Sequence, residues 1–198
     1  MYQTLPINPD ERDRFCNAPG LPPLNLAALT RQRPDALLLL ADSAGSIVGR
    51  AALWWRKPPP LPNHHPGLIG HYFAADAAAA AALLQTACDH LTAQGCTLAL
   101  GPMDGSTWQR YRLVTERGSE PPFFLEPDNP DDWPAHFTDN GFTVFAQYYS
   151  SLNTDLSRQD PRLAEFAQRI AGQGVTLRPL RLDLYRRLPT WPRRFARR

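Results

Sequence analysis

The chain has 198 residues, of which 43% are hydrophobic, 10% aromatic and 20% charged, and its formal net charge is +2. This apolar and aromatic content argues against intrinsic disorder, and the length suits one domain, alone or with an extension. No apolar run approaches the ~20 residues of a membrane helix, and the first residues lack the basic-then-apolar order of a signal peptide. We therefore expect a cytoplasmic protein that makes no contact with a membrane.

The charge is divided unevenly along the chain. Residues 181–198 contain seven arginines and one aspartate, a net charge of +6, which leaves −4 for residues 1–180. Of the 21 lysine and arginine residues, all except Lys57 are arginines. A GC-rich genome also produces this bias. The tail has no accompanying recognition motif, so we do not expect a nucleic-acid partner. It is either an interaction segment or a solvated run of charge.

Neither a disulfide framework nor a metal site is indicated by the cysteines and histidines. Cys16, Cys88 and Cys96 are odd in number and form no Cys-x-x-Cys pair. His64 and His65 follow a proline cluster with no carboxylate at the spacing of a metal ligand. We expect no bound metal.

The first third of the chain shows the signals of a strand, two short helices and a hairpin. Acidic residues follow Asn8, as at a helix start, and Asn25 suits the cap of a second helix. Two apolar runs flank a turn that contains Gly45, which is typical of a β-hairpin. These signals predict a strand at 2–7, helices from residue 9 and at 24–31, and paired strands at 36–41 and 46–55.

A strand, a helix and a second strand follow the proline-rich loop at 57–66. Asp76 suits the cap of a long helix whose apolar residues recur at helical spacing, and Gly95 suits its end. A strand, helix, strand order predicts a right-handed crossover with parallel pairing. The predicted bounds are 67–74, 77–93 and 96–100.

The remaining residues alternate between clear and unclear signals. Residues 103–131 lack periodicity and contain aromatic side chains among prolines, and a loop this long in a compact domain is usually functional. After it, the patterns predict a helix at 131–140, a strong strand at 142–152, a helix at 161–171 with Asp160 as cap, and an extended segment at 176–180.

This order of elements is similar to the GNAT acyltransferase fold. The resemblance is sharpest from residue 69 to residue 152, a region that looks like a poorly characterised bacterial GNAT-like group with a Gly-Pro-x-[Asn/Asp]-x-Ser segment after its fifth strand. It implies an α/β (α+β) protein with a GNAT-like acyl-CoA N-acyltransferase fold, in which helices flank a mixed central sheet. We expect this domain at 1–155 and an extension at 156–198. The motifs are IGHYF at 69–73, GPMDGST at 101–107, PPFF at 121–124, DNP at 128–130 and NGF at 140–142.

The resemblance implies acetyl-CoA or another acyl-CoA as co-substrate. In GNAT enzymes its pyrophosphate lies on backbone N–H groups at the start of the helix after the fourth strand, where the helix dipole favours an anion. The family's Arg/Gln and first Gly are absent here, and Asp76 adds a negative charge. The alternative is therefore a GNAT-fold protein that has lost CoA binding and acts as a binding or assembly module. The residues implied in binding are Phe73, Ala74, Ala75, Ala78, Ala79 and Ala80.

The implied reaction is acyl transfer to a small-molecule amine or a peptide amine. It needs a base for the amine, and His71 lies where the family often places one, although a lone histidine there can also be structural. A backbone N–H near Phe73 or Ala74 would stabilise the carbonyl oxygen. Phe137 stands where many enzymes of the family have a tyrosine that acts as general acid, so Tyr111, Tyr148 or Tyr149 would take that role. On alternating strand faces, only one of the last two can face the site.

The C-terminal segment leaves two interpretations open. Residues 176–180 are either the last strand of the GNAT-like sheet or the opening strand of a second unit of the same kind. A strand without a partner tends to pair with a neighbouring chain. We therefore expect a homodimer in which the C-terminal extension packs on the other subunit.

Overall fold

The structure, a computed structural model, describes residues 2–122, 126–155, 157 and 160–176. It divides into two compact units, Met1–Ala146 and Gln147–Arg198. The domain boundary predicted from the sequence lies further along, after residue 155, and stays a prediction. The predicted segment at 176–180, beyond its first residue, and the arginine-rich tail lie outside the described residues.

The first unit contains five strands and four α-helices within its described residues. A short 3₁₀ helix, Pro9–Glu11, precedes the first α-helix. The strands are β1 (Gln3–Ile7), β2 (Ala36–Ala41), β3 (Ile47–Trp54), β4 (Pro66–Ala74) and β5 (Leu98–Leu100), and the helices are α1 (Arg12–Cys16), α2 (Leu26–Gln32), α3 (Ala77–Ala93) and α4 (Trp133–Thr138).

The strands form one mixed sheet in the order β1-β2-β3-β4-β5. Strands β1 to β4 pair with one another in antiparallel fashion. Strand β5 pairs parallel to β4, and α3 connects the two. This confirms the parallel pairing predicted across the helix, the α/β class and the mixed central sheet.

Side-chain alternation along the strands gives the sheet two apolar faces. Leu40 and Leu53 share one face, and Leu83 of α3 packs in the same cluster. Leu39 and Trp54 lie in the opposite cluster, together with residues of α1 and α2. The sheet is therefore covered by α3 on one side and by the two N-terminal helices on the other.

Side-chain caps fix where the predicted helices and the hairpin begin. The carboxylate of Asp76 accepts the backbone N–H of Ala79 at 2.7 Å, and the Asn25 side chain accepts the N–H of Ala28 at 2.9 Å. In the β2–β3 turn, Asp42 Oδ1 accepts the N–H of Ser46 at 2.9 Å. These local bonds explain why short polar residues predicted these positions well.

The strong strand predicted at 142–152 is wrong. These residues belong to no strand, and Val144 and Phe145 are 66% and 69% exposed. A strand needs a partner ladder, and among the described residues none pairs with this segment. Alternating apolar residues indicate strand propensity, but they do not determine whether another strand is available for pairing.

The long segment at 103–131 has no helix or strand among its described residues, and side chains order it instead. Asn129, which is 4% exposed, accepts the backbone N–H of Val114 at 2.7 Å. Arg117 forms ion pairs with Asp128 at 2.8 Å and with Asp131 at 2.7 Å. The predicted helix at 131–140 is shorter than expected and consists of α4 alone.

The second unit contains α5 (Arg162–Gly172), close to the helix predicted at 161–171. Asp160 Oδ1 accepts the backbone N–H of Arg162 at 2.9 Å. Leu163 and Phe166 are about half exposed, at 55% and 49%. In the part of the chain that the structure describes, no helix is long and apolar enough to span a bilayer.

Truncation of Leu53 to alanine should lower the free energy of unfolding by about 2–5 kcal/mol, because the fully buried side chain leaves a cavity between β3 and α3. Urea denaturation measures this. Leu26, which is 40% exposed, is the matched control, and its truncation should change stability by no more than about 0.5 kcal/mol. Equal losses at the two positions would contradict the described core.

Candidate functional site

A β-bulge in β4 places His71 at the centre of the candidate site. Two residues of β4, His71 and Tyr72, lie opposite one residue of β3, because Gly70 pairs with Ala52 and Phe73 pairs with Arg50. His71 has a φ of 45°, a left-handed conformation that is uncommon for a residue with a side chain. Bulges re-aim side chains and are frequent beside active sites.

The GPMDGS segment, residues 101–106, stabilises this bulge through hydrogen bonds. The N–H of Met103 donates to the carbonyl of Ile69 at 2.8 Å, and the carboxylate of Asp104 accepts the backbone N–H of His71 at 2.6 Å. The segment lies so close to β4 that a Cβ on Gly70 would be 2.3 Å from the Met103 carbonyl oxygen. Only glycine fits at that position without a shift of the backbone.

The imidazole of His71 is held on both sides. Its Nδ1 lies 3.4 Å from Asp104 Oδ2, and its Nε2 lies 2.6 Å from Gln32 Oε1. The two side chains of the His71–Asp104 pair are only 9% and 10% exposed. Because Gln32 Oε1 is an acceptor, we expect the tautomer with the proton on Nε2, in which the lone pair of Nδ1 faces the carboxylate.

Burial lowers the pKa of His71 below its ordinary value of 6.5, and the charges of Arg50 and Arg110 lower it further, against the opposing effect of Asp104. The ring is therefore neutral near pH 7. A neutral imidazole whose lone pair faces a carboxylate can take up one proton between Nδ1 and Oδ2, and the carboxylate stabilises the resulting imidazolium.

A cleft of about 410 Å³ opens beside this pair. Gln32 and Asp104 line it and also contact His71, so the cleft reaches the edge of the His71–Asp104 pair. Gln32 Nε2 donates to Gln109 Oε1 at 3.1 Å and links the two walls. The lining side chains come from α2 and from the segment after β5: Ala28, Arg31, Gln32, Asp104, Ser106 and Gln109.

Trp54 connects the cleft to the sheet. Its indole N–H donates to the backbone carbonyl of Gln32 at 2.8 Å, and its ring lies 6.0 Å from the ring of His71. A Cβ on Gly105 would be 3.1 Å from the indole nitrogen. The indole therefore fixes both α2 and the GPMDGS segment against β3.

The start of α3 fits an acyl-CoA pyrophosphate poorly. The Asp76 carboxylate accepts the N–H of Ala79, and the N–H of Ala80 donates to the Asp76 carbonyl. Desolvation and the negative charge of this carboxylate raise the pKa of Tyr2. A carboxylate at the helix N-terminus occupies one N–H group and repels a second anion.

The residues predicted to bind acyl-CoA are divided between core and surface. Ala74, Ala79 and Ala80 are buried in the cluster between the sheet and α3, whereas Ala75 and Ala78 are exposed. Phe73 is half-buried against the ring of Trp133, with centroids 6.1 Å apart. These six assignments stay predictions.

The candidate general acids have separate surroundings. The backbone of Tyr111 forms an isolated antiparallel β-bridge with Met103, and its phenol accepts a hydrogen bond from Arg112 at 2.7 Å. Tyr148 belongs to the second unit, where it is 57% exposed. Phe137, at the family's tyrosine position, is buried with its ring 4.8 Å from that of Tyr72. The roles of Tyr111 and Tyr148 stay predictions.

Sequence reasoning missed Asp104 and Gln32 as members of the site. Asp104 carried a signal, because it is the acidic residue of the GPMDGS motif, although the motif alone does not show what it contacts. Gln32 carried none, since it ends a short helix 39 residues before His71.

No family model matches the chain, and no curated protein matches it. Similar solved structures include a transcriptional regulator from Bacillus halodurans C-125, at 12% identity and a TM-score of 0.46, which covers 77% of this chain and 100% of that one. Glucosamine-6-phosphate N-acetyltransferase from Arabidopsis thaliana matches at 11% identity and 0.44, over 78% and 99%. A GCN5-related N-acetyltransferase from Ralstonia eutropha JMP134 matches at 13% and 0.43, over 77% and 99%.

The α/β class of the first unit rests on the order of elements and on the mixed sheet described above. Within the described residues, no group of three histidine, cysteine or acidic side chains is placed to hold a metal ion.

Gly70→Ala should lower the free energy of unfolding by about 1–3 kcal/mol, because the added methyl group meets the backbone of the GPMDGS segment. Gly172→Ala is the matched control, since its Cβ would enter open space, and it should change stability by less than about 0.5 kcal/mol. Equal stability of the Gly70 variant and the unmodified chain in urea denaturation would contradict the close contact.

The buried, neutral His71 predicts a pH dependence of stability. The pKa of His71 is lower in the folded than in the unfolded chain, so below about pH 6.5 the unfolded state binds one more proton than the folded state. The free energy of unfolding therefore decreases as the pH is lowered, by at most about 1.4 kcal/mol per pH unit. Denaturation across pH 5–7 should show this slope, and His71→Gln should reduce it. His64→Gln, at an exposed position, is the control. An unchanged slope in the His71 variant would refute the assignment.

Proposed function

We propose that the first unit transfers an acyl group from acyl-CoA to an amine, with the His71–Asp104 pair as the base. The observation that carries the proposal is the buried histidine whose Nδ1 lies 3.4 Å from the carboxylate of Asp104, a residue that lines an open cleft. The acceptor is a small-molecule or peptide amine, as the GNAT resemblance implies.

The chemistry follows from the protonation states. An amine is largely an ammonium ion at pH 7 and attacks a thioester only after it loses a proton. Asp104 lines the cleft and receives the ammonium group, and the proton passes to the position between Asp104 Oδ2 and His71 Nδ1. The amine nitrogen then bonds to the acyl carbon and the carbon–sulfur bond breaks. The proton that the nitrogen loses as it becomes an amide is taken up by the leaving CoA thiolate.

One specific observation favours the alternative, a GNAT-fold module that does not bind CoA. Asp76 caps α3 and places a carboxylate where a pyrophosphate would meet the helix N-terminus. The two candidate functions therefore differ in one measurable property, the affinity of the chain for CoA and its thioesters.

Thermal unfolding of the chain with acetyl-CoA, a longer acyl-CoA or free CoA separates these functions. Acyl transfer predicts stabilisation of about 2.7 kcal/mol when the ligand is at ~100 times its dissociation constant. Asp76→Asn keeps a capping side chain but removes the charge, so it should tighten binding by several-fold. Asp89→Asn, on the same helix at an exposed position, is the matched control.

No stabilisation of the unmodified chain by any of the three compounds would refute acyl transfer and support the binding module. Equal affinities of the Asp76 variant and the unmodified chain would show that the capping carboxylate does not oppose the pyrophosphate.

A further inference from the structure

The cleft beside the His71–Asp104 pair contains a second charge, the guanidinium of Arg31. Ala28, Arg31 and Gln32 line the cleft from α2. Residues three and four positions apart lie on the same face of a helix, so this spacing turns one face of α2 toward the cleft. Arg31 therefore shares a helix face with Gln32, whose side chain contacts the ring of His71.

Arg31 is available to bind a ligand. It is exposed, and its guanidinium forms no ion pair and no hydrogen bond with the residues that the structure describes. A guanidinium presents its donors in a planar fork that matches a carboxylate group. An exposed arginine is common on protein surfaces, and Arg31 differs from such a residue because it lines the same cleft as the Asp104 carboxylate.

The other wall of the cleft adds neutral hydrogen-bond donors. Gln109 Oε1 accepts the side-chain N–H of Gln32 at 3.1 Å, so the Nε2 group of Gln109 remains as a donor. Ser106 adds a hydroxyl group, and its backbone carbonyl accepts the N–H of Gln109 at 3.1 Å, a turn that keeps both residues on this wall. Among the described residues, neither the Gln109 Nε2 group nor the Ser106 hydroxyl has a hydrogen-bond partner.

Asp104 supplies the negative charge of the cleft. It is a lining residue although its side chain is only 10% exposed. Its two oxygens contact the backbone N–H and the ring of His71, and an ionised carboxylate has about four lone-pair sites. Asp104 therefore keeps acceptor capacity for a donor group of a ligand.

We propose that the cleft binds an amino acid, with its ammonium group at Asp104 and its carboxylate at Arg31 and Gln109. The cleft lining among the described residues carries one positive and one negative side chain, which matches a zwitterion. A carboxylate suits this lining better than a phosphate, because Asp104 repels a dianion more strongly than a monoanion. The identification of this ligand as the acyl acceptor rests on the proposed function, whereas the binding itself requires no acyl-CoA.

The test is a thermal-unfolding panel on the unmodified full chain without acyl-CoA. The probes are the standard amino acids, each beside its carboxamide, which lacks the negative charge, and its N-acetyl derivative, which lacks the positive charge. We expect at least one amino acid to stabilise the chain. Titration calorimetry should then show that its two derivatives bind about tenfold more weakly or worse, the loss expected for one charge-assisted bond.

A substitution at Arg31 locates the carboxylate. Arg31→Gln should weaken the stabilising amino acid by about tenfold, at the lower end for a charge-assisted bond because Arg31 is exposed, and should remove the preference over the carboxamide. The melting temperature of the chain without ligand should stay the same, since surface substitutions change stability little. Arg33→Gln is the matched control, because Arg33 is also exposed and follows the same helix but lies outside the cleft lining.

The inference is overturned if no amino acid stabilises the unmodified chain, if either derivative binds as well as the amino acid, or if the Arg31 variant keeps the full affinity. The first two outcomes need no variant, so misfolding of a substituted chain leaves the test intact. If acetyl-CoA does not bind but amino acids do, the proposed acyl transfer fails and the amino-acid site stands. If acetyl-CoA binds but no amino acid does, the amino-acid site fails and acyl transfer stands.

Discussion

The candidate site depends on one interaction, the bond from the backbone N–H of His71 to the Asp104 carboxylate at 2.6 Å. The bulge in β4 turns this N–H away from the β3 ladder, and a buried N–H group without a partner is costly. The same carboxylate also faces the imidazole. A single side chain thus stabilises an uncommon backbone conformation and contacts the imidazole of the residue that adopts it.

Several other features follow from that contact. Asp104 reaches His71 because the GPMDGS segment lies close against β4, and the absence of a side chain at Gly70 allows this close approach. With the segment in place, its outer side and α2 enclose the cleft. Burial keeps both His71 and Arg50 out of water, which explains why the pKa of each is lowered. The uncommon backbone of His71 and the lowered pKa of its ring therefore arise from the same packing.

Local sequence signals predicted the local parts of this structure. The hairpin turn at Asp42 and the caps at Asn25 and Asp76 depend on bonds between residues two to four apart, which a sequence pattern contains. The site depends on contacts between residues 33 and 39 apart, and no periodicity encodes these. The wrong strand at 142–152 has the same cause, because strand propensity is local whereas strand pairing is not. His71 entered the predictions through its motif, whereas its contacts with Asp104 and Gln32 could not be predicted.

The central claim is that His71 is a buried, neutral imidazole that the Asp104 carboxylate holds ready to accept a proton. Heteronuclear NMR of the ring nitrogens in the labelled full chain measures this directly, because it reports both the tautomer and the pKa of one residue. The account predicts a single neutral tautomer protonated on Nε2 at pH 7 and a pKa below 6.5. A ring that is doubly protonated at pH 7, or that titrates at or above 6.5, would contradict it.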